Sequence, residues 1–154
     1  MKNNLGLFLA KRAHLNPSLE AFIDTHSERR FSFAELDARA NRTANFLARE
    51  LGVRKGDRVG LLLMNSPEFM ESFFAIAKIG AVCVPLNWRL VADELQFILK
   101  DAGATVLIYG GGFGKTVGEL ELRGAGPDVK RWVHGGGAES RAGFAKDYDA
   151  LQGA

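Results

Sequence analysis

The amino-acid sequence predicts an α/β protein built on a parallel, doubly wound sheet with helices on both faces. Between Asp57 and Tyr109, three short apolar segments alternate with two runs of helical periodicity. Each apolar segment is bounded by Gly, Pro or Asn and is apolar on both faces, which is typical of parallel strands covered by helices on both sides. Two successive strand–helix–strand units therefore predict a single sheet with right-handed crossovers.

The chain before this region predicts a helix followed by a β-hairpin. Asn3 or Asn4 can cap the helix, and Asn16-Pro17 ends it because proline disfavours a helical conformation in the residue before it. Two apolar segments separated by a polar turn, at 20–24 and 30–33, predict the hairpin.

A long second helix is predicted after the hairpin. Ser32 and Glu35 form a capping box, in which each side chain satisfies a free backbone N–H. Gly52 suits a left-handed C-terminal cap. The apolar face carries Leu36, Ala40, Thr43, Ala44, Leu47 and Leu51. Charged residues largely off that face are predicted to form a solvated surface, namely Arg39, Arg42, Arg49 and Glu50.

The two crossover helices have their own start and stop signals. Ser66-Pro67 caps the first, and Gly80 ends it. Asp93 and Glu94 open the second, and Gly103 ends it. The predicted buried stripes are Phe69, Phe73, Ile76 and Ala77 on the first helix and Leu95, Ile98, Leu99 and Ala102 on the second.

The sequence changes character after Tyr109, and this change sets the predicted domain organisation. Of the 18 glycines, 12 lie from Gly110 onward. We interpret 1–109 as an α/β subdomain and 110–137 as a Gly-rich region with a short helix over 116–122 and a fourth strand over 129–133. The weakly amphipathic segment 138–154 is interpreted as a boundary leading to further sequence, without a core element.

Composition excludes several classes of protein. A net charge of +2 is too small to indicate a nucleic-acid partner, and no apolar run is long enough to span a bilayer. The start of the chain lacks the pattern of a signal peptide, so we expect a cytoplasmic location. Cys83 lies in an apolar strand and is expected to be a buried small hydrophobe.

The motif most suggestive of chemistry is the glycine-rich run from Gly110 to Thr116. A phosphate-binding P-loop needs Gly, four residues and then Gly-Lys-Ser/Thr. Gly114-Lys115-Thr116 would require glycine at position 109, which is Tyr109, so the backbone amides would not converge as in a P-loop. We favour a flexible glycine loop with a surface lysine.

Other catalytic motifs are absent from the sequence. The first strand–helix turn, 64–67, has no glycine to admit a dinucleotide pyrophosphate, and there is no Gly-x-Ser-x-Gly elbow. His14, His26 and His134 are scattered, and no His/Cys cluster has metal-ligand spacing. The residues by themselves indicate an α/β domain with no assembled active site.

Taken in their order along the chain, however, the short motifs resemble the N-terminal part of the adenylate-forming, AMP-binding superfamily, most closely its fatty-acyl-CoA synthetases. The resemblance covers about residues 5 to 112 in unbroken order, which makes it specific although each motif is short. The Asn after Pro-Leu, in Asn87-Trp88-Arg89-Leu90, is more similar to fatty-acyl or aryl CoA ligases than to peptide-synthetase modules. The matching stretches are 31–36 with 40–42, 56–59, 64–69, 77–87, 89–90, 94–95 and 104–109.

The resemblance implies a full-length enzyme that uses ATP, Mg²⁺ and CoA to activate a carboxylic acid, with a fatty acid as the expected substrate. Tyr148-Asp149-Ala150-Leu151 resembles the end of the segment just before the family's phosphate loop. That loop, the ribose-binding Asp and the catalytic Lys match no stretch of this chain. We therefore assign no catalytic, cofactor-binding or metal residue, and expect no cofactor bound to this N-terminal fragment. Asn65, Ser66, Pro85, Asn87 and Arg89 also match the family, but structural roles explain them.

Two other functions remain open at this point: a stand-alone nucleotide-binding domain that uses residues 110–116, and a non-enzymatic α/β interaction module. ATP binding would distinguish the first of these. We also expect the 154-residue chain to self-associate, with a segment-swapped dimer as one form, because apolar surface and a strand edge would be left uncovered.

Overall fold

The computed structural model describes residues 4–123, 131–135 and 145–148. A five-stranded sheet with helices on both faces follows an N-terminal helix, a two-stranded hairpin and a long second helix. The elements are α1 Gly6–Leu15, β1 Glu20–Ile23, β2 Arg30–Ser32, α2 Phe33–Arg49, β3 Arg58–Leu62, α3 Pro67–Lys78, β4 Val82–Pro85, α4 Ala92–Ala102, β5 Ala104–Gly110, a 3₁₀ turn Gly111–Phe113, α5 Gly114–Leu122, β6 Arg131–Gly135 and β7 Lys146–Asp147.

The sheet order is β4-β3-β5-β6-β7, and every neighbouring pair is parallel. The chain steps outward from β3 to β4 and then crosses back over β3 to β5. Because right-handed crossovers that run in opposite directions place their helices on opposite faces, this reversal produces a doubly wound sheet. The predicted fold class is confirmed.

Alternate side chains of the central strands fill two separate apolar layers. Val59 and Leu61 of β3 pack with α2 and α3, whereas Leu62 of the same strand packs with α4 and α5. Side chains of successive strand residues point to opposite faces, so one strand supplies both layers. A third, smaller cluster joins α1, α2 and the hairpin.

The local start and stop signals act as predicted. Ser32 Oγ accepts from Glu35 N at 3.2 Å while the Glu35 carboxylate accepts from Ser32 N at 2.8 Å, which completes the capping box. Gly80 and Gly103 follow their helices with φ of 75° and 61°, values at which other residues are strained. At Gly6, a Cβ atom would lie 2.5 Å from the backbone N of Lys78, so only glycine permits α1 to approach α3 this closely.

The buried stripe of α3 differs from the predicted one. Ile76 is fully buried, but Phe69, Phe73 and Ala77 are only half-buried. Polar residues occupy much of the buried face instead, namely Glu68, Glu71 and Ser72. The difference arises because α3 turns this polar side towards α2 and the hairpin, where partners for these groups lie.

The Gly-rich region is more regular than a flexible loop. Residues 111–113 form a 3₁₀ turn, and α5 begins at Gly114, two residues before the predicted start. The fourth strand predicted at 129–133 is β6, Arg131–Gly135. Val117 and Leu120 are fully buried against the α4 layer, which explains why this glycine-containing segment is helical.

Two further predictions about core residues need correction. The segment 138–154 was expected to hold no core element, yet Ala145 is buried and Tyr148 is fully buried. Lys146–Asp147 form β7, and residues 138–144 and 149–154 lie outside the described residues. Cys83 is half-buried, because β4 is an outer strand among those described, with only β3 beside it.

No helix within the described ranges is both long enough and apolar enough to cross a membrane.

Candidate functional site at the carboxyl edge of the sheet

The strand order marks one edge of the sheet as the place where a ligand would bind. In doubly wound sheets, ligands bind outside the carboxyl ends of the strands, at the point where the strand order reverses. The reversal here lies between β3 and β5. The carboxyl ends of these strands lead into 63–66 and 111–113, so these two segments border the candidate site.

The β3 side of this edge presents a capped helix. Ser66 Oγ accepts from Phe69 N at 3.3 Å, and Pro67 occupies the first turn of α3. Met64 and Asn65 are exposed beside the cap. The role predicted for Ser66, to cap the helix, is confirmed.

The β5 side is formed by the glycine-rich turn. A Cβ atom added at Gly112 would meet no heavy atom within 4 Å, so the turn borders open space. Lys115 is exposed in the first turn of α5. The 3₁₀ turn does not have the extended course with which a P-loop surrounds a phosphate. Its geometry therefore gives no support to a nucleotide site formed by 110–116.

The loop after β4 carries an exposed aromatic–cation pair. The Arg89 guanidinium lies 4.2 Å from the centre of the Trp88 ring, and Asn87 Oδ1 accepts from Arg89 N at 3.1 Å. A guanidinium over an indole face is attracted by the negative charge of the ring face. These contacts are local to the loop, because both join residues that are one or two positions apart.

A buried group of polar side chains, which we call the polar hub, lies beneath the same edge. It consists of Arg39 and Thr43 of α2, Glu71 and Ser72 of α3, and Tyr148. Arg39 donates through Nε and Nη2 to the two oxygens of the Glu71 carboxylate. The Tyr148 hydroxyl lies 3.1 Å from Glu71 Oε2, 2.9 Å from Thr43 Oγ1 and 3.5 Å from Ser72 Oγ.

The hub contradicts the prediction that Arg39 belongs to a solvated surface. The Arg39 side chain is 21% exposed and its partner Glu71 is fully buried. Arg39 points inward because a carboxylate in the apolar layer would be costly without a cation. No buried side-chain N or O atom in the described part of the chain lacks a hydrogen-bond partner.

Burial controls the ionisation of the hub. Burial raises the pKa of Glu71, although its hydrogen bonds with Arg39 and the charge of that residue oppose the rise. Burial acts to lower the pKa of Arg39, but its hydrogen bond and attraction to Glu71 prevail and raise it. Burial, followed by the nearby charge of Glu71, raises the pKa of Tyr148, so its hydroxyl stays protonated and donates to Glu71.

A second ion pair extends the polar layer towards the hairpin. Arg29 Nη1 lies 3.2 Å from Glu68 Oε1, and the Glu68 side chain is 9% exposed. Glu68, Glu71 and Tyr148 were not predicted to be polar core residues. The signal that could have identified the first two is the presence of two glutamates on the helix face that also carries Ala75 and Ile76.

The described ranges, 4–123, 131–135 and 145–148, contain no group of three or more His, Cys, Asp or Glu side chains that could hold a metal ion. The chemistry of the hub is structural, because the Glu71 carboxylate and the Tyr148 hydroxyl bond other protein groups. It joins α2, α3 and the end of β7, and its Arg39 side chain also lines a surface cavity of about 350 Å³ with Arg30 and Glu35.

Comparison with known proteins identifies the family. The model of the family described as AMP-binding enzyme matches residues 9–146. The chain belongs to this AMP-binding family. Long-chain-fatty-acid–CoA ligase FadD13 of Mycobacterium tuberculosis is 41% identical over 140 residues, which are 90% of this chain and 27% of that protein. Crotonobetaine/carnitine–CoA ligase of Salmonella paratyphi B is 44% identical over 103 residues, 67% of this chain and 19% of that protein.

Solved structures of AMP-binding enzymes superimpose closely on the chain. A Mycobacterium tuberculosis fatty acyl CoA synthetase matches with a TM-score of 0.82 and 41% identity, over 86% of this chain and 26% of that one. The anthranilate CoA ligase AuaEII, solved in complex with anthranoyl-AMP, matches with a TM-score of 0.86 and 30% identity, over 97% of this chain and 28% of that one. The chain therefore spans about a quarter of the length of these AMP-binding relatives.

Proposed function

We propose that this chain is the N-terminal part of an AMP-forming acyl-CoA ligase. The reaction would convert ATP, a fatty acid and CoA to acyl-CoA, AMP and pyrophosphate through an acyl-adenylate. The observation that carries the proposal is the 41% identity over 140 residues with a long-chain-fatty-acid–CoA ligase. The Asn87 form of the loop after β4 agrees with this choice, since the resemblance associates it with acyl-CoA ligases.

The proposed contribution of this chain is a scaffold. Its described residues form the sheet, the capped α3 and the polar hub, which together shape one carboxyl edge. Formation of the adenylate places negative charge on the pyrophosphate leaving group, so cations including Mg²⁺ must stabilise it. The described residues offer no carboxylate cluster that fits Mg²⁺. We propose that the catalytic, cofactor-binding and metal-binding roles belong to other parts of the ligase.

The domain organisation that we propose separates the scaffold from the segment that leads to the rest of the ligase. Residues 1–109 form the α/β subdomain, 110–137 a Gly-rich connection that carries α5 and β6, and 138–154 a boundary segment towards the remainder of the ligase. We propose a cytoplasmic location, since ATP and CoA are available there.

Release of pyrophosphate in the presence of different carboxylic acids tests this function directly. The full-length polypeptide that begins with this sequence should release pyrophosphate from ATP in the presence of octanoate or palmitate together with CoA. Acetate, coumarate and the amino acids serve as controls for other branches of the family. A response to amino acids alone would overturn the fatty-acid proposal, and no response to any acid would overturn the ligase proposal.

We also propose that the 154-residue chain associates with itself. Phe73, Ala77 and Cys83 contribute apolar surface to a groove of about 750 Å³ beside β4 that Asn4, Lys55 and Lys78 also line, and Phe97 on α4 is 71% exposed. Exposed apolar surface of this kind favours association. Exchange of the segment 145–148 between two copies would be one form of dimer, because this segment completes the core of the sheet.

The open edge of β4 limits how such association can occur. Val82 N donates to Asp57 O, just before β3, at 2.7 Å, and Leu86 N donates to Leu61 O of β3 at 2.9 Å. The backbone nitrogens of the alternate residues, Cys83 and Pro85, therefore face away from β3. Proline has no N–H, which leaves Cys83 as the outward donor within this strand. The edge is therefore protected against strand pairing, and we expect association through side chains or exchange of 145–148.

Light scattering at micromolar concentration measures this association. We expect a mean mass above the 16.8 kDa of the monomer, rising with concentration. Phe73→Ser should shift the distribution towards monomer if the groove is the contact, whereas Arg30→Ser on the exposed hairpin provides the control. A wild-type chain that stays monomeric on concentration would contradict the proposal.

A further inference from the structure

The last described strand is held to the sheet by few main-chain bonds. β7 contains two residues and pairs with β6 at Val133–Lys146 and His134–Asp147. A two-residue edge strand offers little hydrogen bonding of its own, so neighbouring side chains must supply most of its attachment. Ala145 packs into the α4–α5 layer, and the Lys146 ammonium lies 5.8 Å from the centre of the Phe46 ring.

Tyr148 supplies the strongest of these attachments. It is fully buried, and its hydroxyl meets Glu71, Thr43 and Ser72. A phenol has one donor hydrogen and two acceptor lone pairs. Donation to the Glu71 carboxylate and acceptance from the hydroxyls of Thr43 and Ser72 use all of them. Because these three hydrogen bonds point in different directions, they fix the position of the Tyr148 ring relative to α2 and α3.

The position of Tyr148 in the fold connects it to the candidate site. β7 runs parallel to β3 and β5, so its carboxyl end lies at the edge where ligands bind in doubly wound sheets. Tyr148 directly follows β7 at that edge. Its partners Glu71 and Ser72 lie in the second turn of α3, the helix that begins at the same edge. The hub thus ties the exit of the chain from β7 to the start of α3.

We propose that Tyr148 is a positioning residue of the ligase, which fixes where the chain leaves β7 at the ligand-binding edge. This inference rests on the proposed function. The main effect of the hydroxyl is geometric: it sets the placement of the carboxyl end of β7 relative to the β3–β5 crevice. Catalysis requires reacting groups to be placed closely, so a small displacement of this backbone slows the reaction.

Tyr148→Phe in the full-length enzyme tests this role, because it removes one oxygen atom and leaves the ring. We expect kcat/KM for fatty-acid-dependent pyrophosphate release to fall about tenfold. Ile76→Val is the matched control. Ile76 lies on α3 in the same apolar layer and its side chain makes no hydrogen bond, and its replacement by valine also lowers stability. Its kcat/KM should stay within about twofold of wild type at a temperature where both variants are folded.

A double-mutant cycle identifies the contact that is responsible. Glu71→Gln keeps the shape of the side chain but removes its charge, and should also reduce kcat/KM. If Tyr148 acts through Glu71, the double variant should lose little more than the more impaired single variant, because two changes to one contact are not additive. Independent, multiplying losses would overturn the coupling.

Amide hydrogen exchange of the 154-residue chain provides a measurement that does not depend on activity. The amides of 146–148 should exchange about tenfold faster in Tyr148→Phe than in Ile76→Val, since local opening of this segment becomes easier. Equal exchange in the two variants would show that the hydroxyl does not hold β7.

The outcomes separate the two proposals. An active wild-type ligase with Tyr148→Phe indistinguishable from Ile76→Val would overturn the positioning role and leave the ligase function standing. A wild-type polypeptide that releases no pyrophosphate with any acid would overturn the ligase function and the kinetic role that depends on it, whatever the exchange rates show.

Discussion

Replacing Arg39 with leucine is expected to lower the free energy of unfolding by about 3–5 kcal/mol, since removal of one partner leaves a buried charge uncompensated. The remaining charge is that of Glu71, which is fully buried among the side chains of α2 and α3. Leucine fills much of the volume of the arginine stem, so the loss comes mainly from electrostatics. Urea unfolding at pH 7, followed by circular dichroism, measures the change.

The exposed hairpin pair provides a control with the same substitution. Arg30 and Glu20 lie 2.6 Å apart, but their side chains are 66% and 43% exposed. Arg30→Leu should change the free energy of unfolding by about 1 kcal/mol or less, because exposed ion pairs contribute little. Equal losses in the two variants would show that the Arg39–Glu71 pair gains nothing from burial.

The loss in Arg39→Leu should depend on pH in a defined direction. Burial raises the pKa of Glu71 in the folded chain, and removal of the cation raises it further. A folded-state pKa above the unfolded one means that protons bind more tightly to the folded chain. The stability of Arg39→Leu relative to wild type is therefore greatest below the pKa of Glu71 in the unfolded chain. It is lost as the pH rises through the pKa of Glu71 in the folded variant. A loss that grows on acidification would contradict this account.

Leu61→Ala is expected to cost about 2–5 kcal/mol, because it opens a cavity in a close-packed layer. Leu61 lies on the central strand β3 and is fully buried beneath α2 and α3. Strands on both sides of β3 limit how far the layer can collapse into the space. Thermal and urea unfolding should both show the loss, with an unchanged dependence of the free energy on urea concentration.

Leu122→Ala makes the same chemical change where no cavity can form. Leu122 is 89% exposed at the end of α5, and its replacement should alter stability by less than about 0.5 kcal/mol. Equal losses in the two variants would contradict the cavity argument, because alanine is well tolerated at an exposed helix position and opens no cavity there.

The parts of the fold that could be predicted depend on short-range signals. The capping box of Ser32 and Glu35 and the left-handed turn at Gly103 are specified by residues within a few positions of one another. Continuous apolar segments and their spacing specified a parallel sheet in the same way. Such signals are readable because each involves a single turn or a single strand.

The polar hub could not be predicted because its partners are far apart in sequence. Glu71 is 32 residues from Arg39 and 77 from Tyr148. In the sequence, Arg39 is indistinguishable from the other arginines of α2, and Tyr148 lies in a weakly amphipathic segment. The aromatic spacing of Phe69 and Phe73 also indicated burial, although the face that α3 presents to α2 is set by where its glutamates find cations.

The separation between Glu71 and Tyr148 has a consequence for synthesis of the chain. Translation adds about 5–20 residues per second, so the 77 residues between them take roughly 4–15 s to make. During that interval α2 and α3 can meet and Arg39 can pair with Glu71, but the Tyr148 hydroxyl is not yet present to complete the contact. The bonds of Tyr148 to Glu71 and Thr43 can therefore form only after α2 and α3 have been synthesised, so the attachment of β7 to the hub comes late in synthesis of this chain.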